Sequence, residues 1–102
     1  MVVFSVLYPA TAGAKFDEAY YHATHIPLVK DAFGDALTDV QVLKGVSAAD
    51  GGPAPFILIV NLTFASPEAA AAAMGGPRSG EVMADVANFT DITPVIQVGA
   101  PV

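Results

Sequence analysis

The strongest limit on the fold comes from residues 56–64, Phe-Ile-Leu-Ile-Val-Asn-Leu-Thr-Phe. The run is rich in β-branched and aromatic residues, which favour strands. Successive side chains of a strand point to opposite faces. Here the face of Phe56 and Phe64 is wholly apolar, and the other face carries Ile57 and Ile59. A strand that is apolar on both faces is typically covered on both faces, so the fold must place this strand between two apolar layers.

The segment after the first strand predicts two short helices. From Lys15 the apolar spacing changes to the helical period. Pro27 then interrupts the run, because the residue before a proline is biased away from α geometry. We therefore expect helices over residues 15–24 and 27–33, with a break near His25.

The remaining segments complete a β-α-β-β-α-β order. Strands are predicted over residues 2–8, 38–46 and 91–98, with helices that follow Ser66 and cover residues 79–87. This order predicts the α+β class and a ferredoxin-like βαββαβ fold, a single domain over residues 1–102 with a four-stranded antiparallel sheet. The helices can cover only one face of the sheet. We therefore expect a homodimer in which the open sheet faces of two copies pack together.

The composition favours a partner copy over a membrane or a nucleic acid. Hydrophobic residues make up 54% of the chain and charged residues 14%, against about 25% charged in average soluble domains. No apolar run approaches the ~18 residues of a membrane span, so no membrane partner is expected. The net charge of −6, with four scattered basic residues, excludes the cationic footprint of a nucleic-acid-binding protein. Without cysteine or a basic leader, the expected location is cytoplasmic.

The residues best suited to chemistry concentrate between Tyr20 and His25. His22 and His25 are three apart and Tyr21 and His25 are four apart, so each pair can share a helix face. An imidazole can act as general acid or base near neutral pH, and a neighbouring tyrosine can orient a substrate oxygen. A structural alternative fits the same spacing: one histidine caps the broken helix and the tyrosines only pack.

A second polar cluster lies on the helix before the last strand. Glu81, Asp85 and Asn88 are spaced by four and three residues and share one helix face. Glu81 is expected on a solvated surface, whereas Asp85 and Asn88 lie nearer the sheet. Neither cluster predicts a metal, because two histidines without a third ligand do not complete a catalytic zinc site. Haem would rest on one proximal histidine, so no cofactor is expected.

Several segments in order along the chain match those of a known family. They are Leu7-Tyr8-Pro9, Phe16-Asp17, Tyr20-Tyr21, His25-Ile26-Pro27-Leu28-Val29, Gly34, Asp85, Asn88-Phe89-Thr90-Asp91 and Pro94-Val95-Ile96-Gln97. In these segments the chain resembles the EthD family, which is part of the dimeric α/β-barrel superfamily. The resemblance implies a face-to-face homodimer with a small apolar pocket that works without a cofactor. It implies functional roles for His25, Tyr20, Tyr21, Asp85 and Asn88. We expect the first four to be catalytic, and we expect ligand contacts from His22, Asn88, Phe89 and Phe16.

Two functions are consistent with these residues. The first is a protein that binds a compact apolar or aromatic metabolite and performs cofactor-free acid/base isomerisation or dehydration. His25 would then move the proton, a tyrosine would polarise an oxygen of the metabolite, and Asp85 would orient or complement these groups. The alternative is a non-catalytic ligand-binding or accessory module of a catabolic pathway. A haem-dependent or cofactor-free monooxygenase is a third hypothesis with less support from the sequence.

Overall fold

Four antiparallel strands form one sheet, in a computed structural model that describes all 102 residues. The strands are β1 (Val2–Pro9), β2 (Leu37–Lys44), β3 (Phe56–Phe64) and β4 (Val95–Gly99). They lie in the order β2-β3-β1-β4, and every neighbouring pair is antiparallel. This is the predicted α+β, ferredoxin-like arrangement, and the prediction of the fold class is confirmed.

The helices pack on one face of this sheet. They are α1 (Glu18–Tyr20), a π turn (Tyr21–His25), α2 (Ile26–Phe33), a 3-10 turn (Gly34–Ala36), α3 (Pro67–Met74), α4 (Ser79–Asp85) and a second 3-10 turn (Val86–Asn88). None of them has the length and apolarity that crossing a membrane requires.

The core lies between these helices and the middle of β3. Four side chains of β3 point to the helix face, and none of these residues is more than 6% exposed: Leu58, Val60, Leu62 and Phe64. Burying an apolar side chain of this size contributes roughly 1.5–3 kcal/mol. The Phe64 ring also packs edge-on against Phe4, with the centroids 5.4 Å apart. The alternation read from residues 56–64 therefore fixes which face of the sheet becomes the core.

The predicted helix break near His25 is wrong, because the helix runs on through Pro27. The N–H of Ile26 donates to the carbonyl of Tyr21, five residues back, which is the bond of a π turn. In a regular α turn the proline ring would meet the carbonyl four residues before it. The wider π turn lies immediately before Pro27 and accommodates the ring. π turns are rare in proteins, and those that occur are often found at functional sites. This turn therefore marks the region around His25 as a candidate functional site.

Two predicted boundaries are also wrong, and one set of contacts explains both. The carboxylate of Asp91 accepts a hydrogen bond from the N–H of Lys15 at 2.9 Å, and Thr90 donates to the Lys15 carbonyl. These bonds tie residues 15 and 91 to each other in loops, so β4 begins only at Val95. The helix begins at Glu18, where Asp17 accepts a hydrogen bond from the N–H of Tyr20 as N-cap.

The second sheet face is not covered by any helix, and a row of polar side chains crosses it. Pairing places Gln41, Asn61, Ser5 and Gln97 side by side across all four strands. Ser5 donates to Asn61 at 2.8 Å, and Asn61 donates to Gln41 at 3.0 Å. We call these four residues the polar row. Beside it runs an apolar row, formed by Leu43, Ile59, Leu7 and Val95.

Candidate functional site

An apolar cavity of about 360 Å³ lies between the helices and the sheet. Strands β1, β3 and β4 line one side, and the π turn, α2 and α4 line the other. Apart from tyrosine hydroxyls, the only polar side chains in its wall are those of His25 and Ser79. The Ser79 hydroxyl donates to the Gly76 carbonyl at 3.1 Å. The His25 imidazole is therefore the titratable group best placed to meet a molecule in the cavity.

The His25 ring is held in one orientation by Asp85. Its Nδ1 lies 2.8 Å from Asp85 Oδ2, and only 4% of the residue is exposed. An ionised carboxylate can only accept hydrogen bonds, so in the neutral ring Nδ1 carries the proton and Nε2 presents a lone pair. No polar side-chain atom is both sealed from solvent and unpaired, and Nε2 has no protein partner. We conclude that Nε2 opens onto the cavity as a basic nitrogen.

Asp85 is kept ionised by three donors. Tyr20 donates its hydroxyl to Oδ1 at 2.6 Å, and Asn88 donates its amide to the same oxygen at 3.0 Å. Burial favours the neutral acid, but the hydrogen bonds from Tyr20, Asn88 and His25 outweigh it and lower the pKa of Asp85 below its ordinary 3.8. The same bond to Asp85 raises the pKa of Tyr20. The group next to His25 is therefore a stable negative charge.

Aromatic rings fix the plane of the imidazole. The Tyr21 ring stacks on it at 5.4 Å between centroids, and Phe89 lies 4.6 Å away on a tilted plane. Phe16 packs behind them, 5.4 Å from Tyr21 and 5.3 Å from Phe89. Such packing and hydrogen bonding restrict ring rotation, so the base is positioned before any ligand arrives.

Two further tyrosine hydroxyls, those of Tyr8 and Tyr21, belong to the cavity wall. Each residue is 2% exposed. Burial raises the pKa of Tyr8 to about 12. Burial also raises the pKa of Tyr21, and the nearby Tyr8 adds to this effect. Both groups are therefore neutral O–H donors at physiological pH.

The structure brings the predicted catalytic residues together and gives the predicted ligand contacts other neighbours. His25 and Asp85 are joined directly, and Tyr20 binds Asp85 rather than lining the cavity. The four predicted ligand contacts lie outside the cavity wall: His22, Asn88, Phe89 and Phe16. His22 is exposed, so ligand contact there stays a prediction from the sequence. Exposed Glu81 pairs with Arg78, as expected of a solvated face.

No role is predicted for Tyr8 from the sequence. Its only sequence signal is its place on the same face of β1 as Phe4 and Val6, which line the cavity with it. No three histidine, aspartate or glutamate side chains are grouped closely enough to hold a metal ion.

Comparisons with known proteins support the fold. The model of the EthD domain matches residues 11–93. The crystal structure of an EthD-like protein from Ralstonia eutropha JMP134 is 39% identical, with a TM-score of 0.87, covering 96% of this chain and 88% of that one. An EthD family protein from Bacillus halodurans C-125 is 22% identical, with a TM-score of 0.80 and coverage of 100% and 99%.

A more distant structure supports the fold alone. A Dabb family protein with a ferredoxin-like fold from Mesorhizobium loti MAFF303099 is 11% identical, with a TM-score of 0.65 and coverage of 99% and 96%. A search of curated proteins found no match.

Proposed function

Because this chain belongs to the EthD family, we propose that it binds a compact, largely apolar metabolite beside His25 and moves a proton on it without a cofactor. The observation that carries the proposal is the 2.8 Å contact between His25 and Asp85 at the wall of an apolar cavity. A buried imidazole fixed by a carboxylate, with its second nitrogen free, is the arrangement of a general base.

The cavity selects the class of ligand by size and polarity. Its volume of about 360 Å³ lies near the lower end of the ~300–1,000 Å³ of small-molecule sites. Most of its wall is apolar, so a ligand gains affinity by leaving water. A charged or strongly hydrated ligand would lose its hydration without enough partners. A compact ring with one or two polar atoms fits best.

Proton movement would follow from the electrostatics of His25 and Asp85. When Nε2 takes a proton, the imidazolium stays beside the negative charge of Asp85, and Nδ1 continues to donate to that carboxylate. Asp85 is a positioning residue, since it acts through His25 and does not line the cavity. The same imidazolium can return the proton at another atom of the ligand, which is an isomerisation, or to a leaving hydroxyl, which is a dehydration.

The test combines a binding screen with a proton-transfer assay. Compact aromatic and alicyclic metabolites would be screened by thermal shift, since a ligand of the folded state raises stability by mass action. Bound compounds would then be incubated in D₂O, and deuterium uptake and new products followed by NMR and mass spectrometry. The variants are His25→Gln and His22→Gln, the same change at a buried and at an exposed position.

We expect wild type and His22→Gln to exchange protons with a bound compound and His25→Gln to lose roughly 100-fold or more in rate. Equal rates in His25→Gln and wild type would remove the catalytic assignment. Tight binding without exchange or product for every compound would instead favour the alternative function, a ligand-binding module.

We also propose that the open sheet face packs against the same face of a second copy. Four strands of five to nine residues, about 4.8 Å apart and rising about 3.3 Å per residue, span roughly 500 Å² per copy, so two faces approach the ~1,000 Å² of a specific interface. Asp39 is the only charged residue that pairing places on this face, although the chain carries a net charge of −6. Two copies therefore meet with little repulsion.

Light scattering tests the pairing, and the expected mass is twice the 10.4 kDa of one chain. Ile59→Lys places a charge in the middle of the face and should give monomers. Ala72→Lys makes the same addition on the exposed side of α3 and should leave the dimer intact. A wild-type monomer at micromolar concentration would contradict the proposal, as would an Ile59→Lys variant that folds and stays dimeric.

A further inference from the structure

We propose that the hydroxyls of Tyr8 and Tyr21 form a two-donor site for one oxygen of the ligand, so that the substrate is an apolar carbonyl compound with an acidic C–H beside the carbonyl. This inference rests on the proposed proton transfer by His25 and names the substrate class for it.

The geometry that points to this site is a pair of buried hydroxyls without partners. Both rings are 2% exposed and line the cavity, with centroids 6.2 Å apart. Neither hydroxyl makes a hydrogen bond within the protein, although Tyr20, the residue before Tyr21, donates to Asp85. No polar side-chain atom is sealed and unpaired, so both hydroxyls reach the cavity. Polar groups inside a protein normally have hydrogen-bond partners, so both hydroxyls are available to an acceptor in the cavity.

The chemistry of the pair selects the acceptor. Both hydroxyls stay protonated at neutral pH, because burial raises the pKa of each. Two neutral donors that face one apolar cavity, Tyr8 from the sheet side and Tyr21 from the helix side, suit an oxygen that gains charge during the reaction, as in an oxyanion hole. The nearest base is His25, whose ring stacks on Tyr21 at 5.4 Å between centroids. A ligand oxygen at the tyrosines therefore brings the adjacent carbon toward Nε2.

The proton transfer balances without another reactant. His25 Nε2 takes a proton from the carbon next to the carbonyl, and the C–H pair becomes the carbon–carbon π bond of an enolate. The carbonyl π pair moves onto oxygen, where the two tyrosine O–H groups donate to it. Return of the proton to the same carbon gives hydrogen exchange, and its return further along a conjugated chain gives an isomer.

The test uses 2-tetralone as carbonyl probe, 2-naphthol as a planar mimic of its enolate, and naphthalene as the same shape without oxygen. Dissociation constants of the last two are measured for wild type, Tyr8→Phe and Tyr21→Phe, and deuterium uptake by 2-tetralone is followed in D₂O. Neither substitution removes a hydrogen bond within the protein, so both variants are expected to fold. Circular dichroism and the naphthalene affinity serve as controls.

We expect each substitution to reduce the preference for 2-naphthol over naphthalene by roughly 3- to 10-fold, to leave naphthalene binding unchanged and to slow exchange. An unchanged preference in both variants would overturn the two-donor site, and the role of His25 would still be judged by His25→Gln. A preference that depends on the tyrosines, with no exchange in wild type, would support the oxygen site and count against the proposed proton transfer.

Discussion

The role of Asp85 can be tested by Asp85→Asn, which keeps the size of the side chain and removes its charge. The carboxylate accepts from Tyr20, His25 and Asn88. Asparagine has one carbonyl oxygen and an amide that donates, so the bond to His25 must reverse its direction and all three bonds lose the charge of their acceptor. Hydrogen bonds to a charged group contribute about 1.5–3 kcal/mol and neutral ones about 0.5–1.5 kcal/mol. The free energy of unfolding should therefore fall by about 2–4 kcal/mol.

The same substitution should reverse the tautomer of His25. In wild type the carboxylate requires the proton on Nδ1, whereas the amide of asparagine can donate to Nδ1 and move the proton to Nε2. Long-range ¹H–¹⁵N spectra report the protonated nitrogen of each neutral imidazole. The chain has only two histidines, and the exposed His22 supplies an internal reference in the same spectrum. Exchange activity should disappear with the change of tautomer.

The pH dependence gives an independent check. The pKa of Asp85 is lowered in the folded state, so its contribution to stability is complete above its ordinary pKa of 3.8 and is lost as pH falls through the lowered value. Asp85→Asn should weaken this acid-side loss. A wild-type His25 with its proton on Nε2 would refute the reasoning. So would a variant whose tautomer and unfolding free energy both match wild type.

Three further predictions concern stability and are measured by chemical unfolding. Burial raises the pKa of Tyr8 from 10 to about 12, so stability should fall by about 3 kcal/mol as pH rises between these values. Tyr8→Phe should remove much of that fall, and an equal fall would contradict it. Gly45→Ala should destabilise, since a Cβ there would overlap the Phe56 carbonyl, whereas Gly80→Ala meets nothing within 4 Å and should stabilise by about 0.5–1 kcal/mol. Asp17→Ala removes the N-cap bond to Tyr20 and should cost about 0.5–2 kcal/mol; no loss would refute the cap.

The fold could be predicted because its information is local. The alternation from Phe56 to Phe64 identifies the central strand, and the order of strands and helices then leaves one familiar topology. The helix through Pro27 could not be predicted, because a π turn depends on how Tyr21 and His25 pack against the sheet. The start of β4 at Val95 depends on Asp91 binding Lys15, a contact between residues 76 positions apart.

The site was predicted as a set of residues but not as an arrangement. Spacing singled out His25 and Asp85 separately, and nothing in the sequence states that they touch across 60 positions. Tyr20 and Tyr21 are adjacent in sequence, but Tyr20 donates to Asp85 and Tyr21 lines the cavity, because consecutive helical residues point in different directions. Tyr8 has an apolar, strand-like context, and its unpaired hydroxyl becomes visible only after the strand is packed.

The polar row also bears on which chains can pair. A wholly apolar sheet face could pack against many other apolar faces, in many relative positions. A line of amides and a hydroxyl is more selective, because buried polar groups stay unpaired unless the opposing face places hydrogen-bonding groups directly opposite them. Each residue of the polar row can both donate and accept hydrogen bonds: Gln41, Asn61, Ser5 and Gln97. Two copies of the row can therefore hydrogen-bond to each other across a two-fold axis. A related chain with leucine or valine at these positions would leave them unsatisfied. In a cell with several such proteins, the row would therefore favour the proposed pairing of two copies of this chain over pairing with a relative.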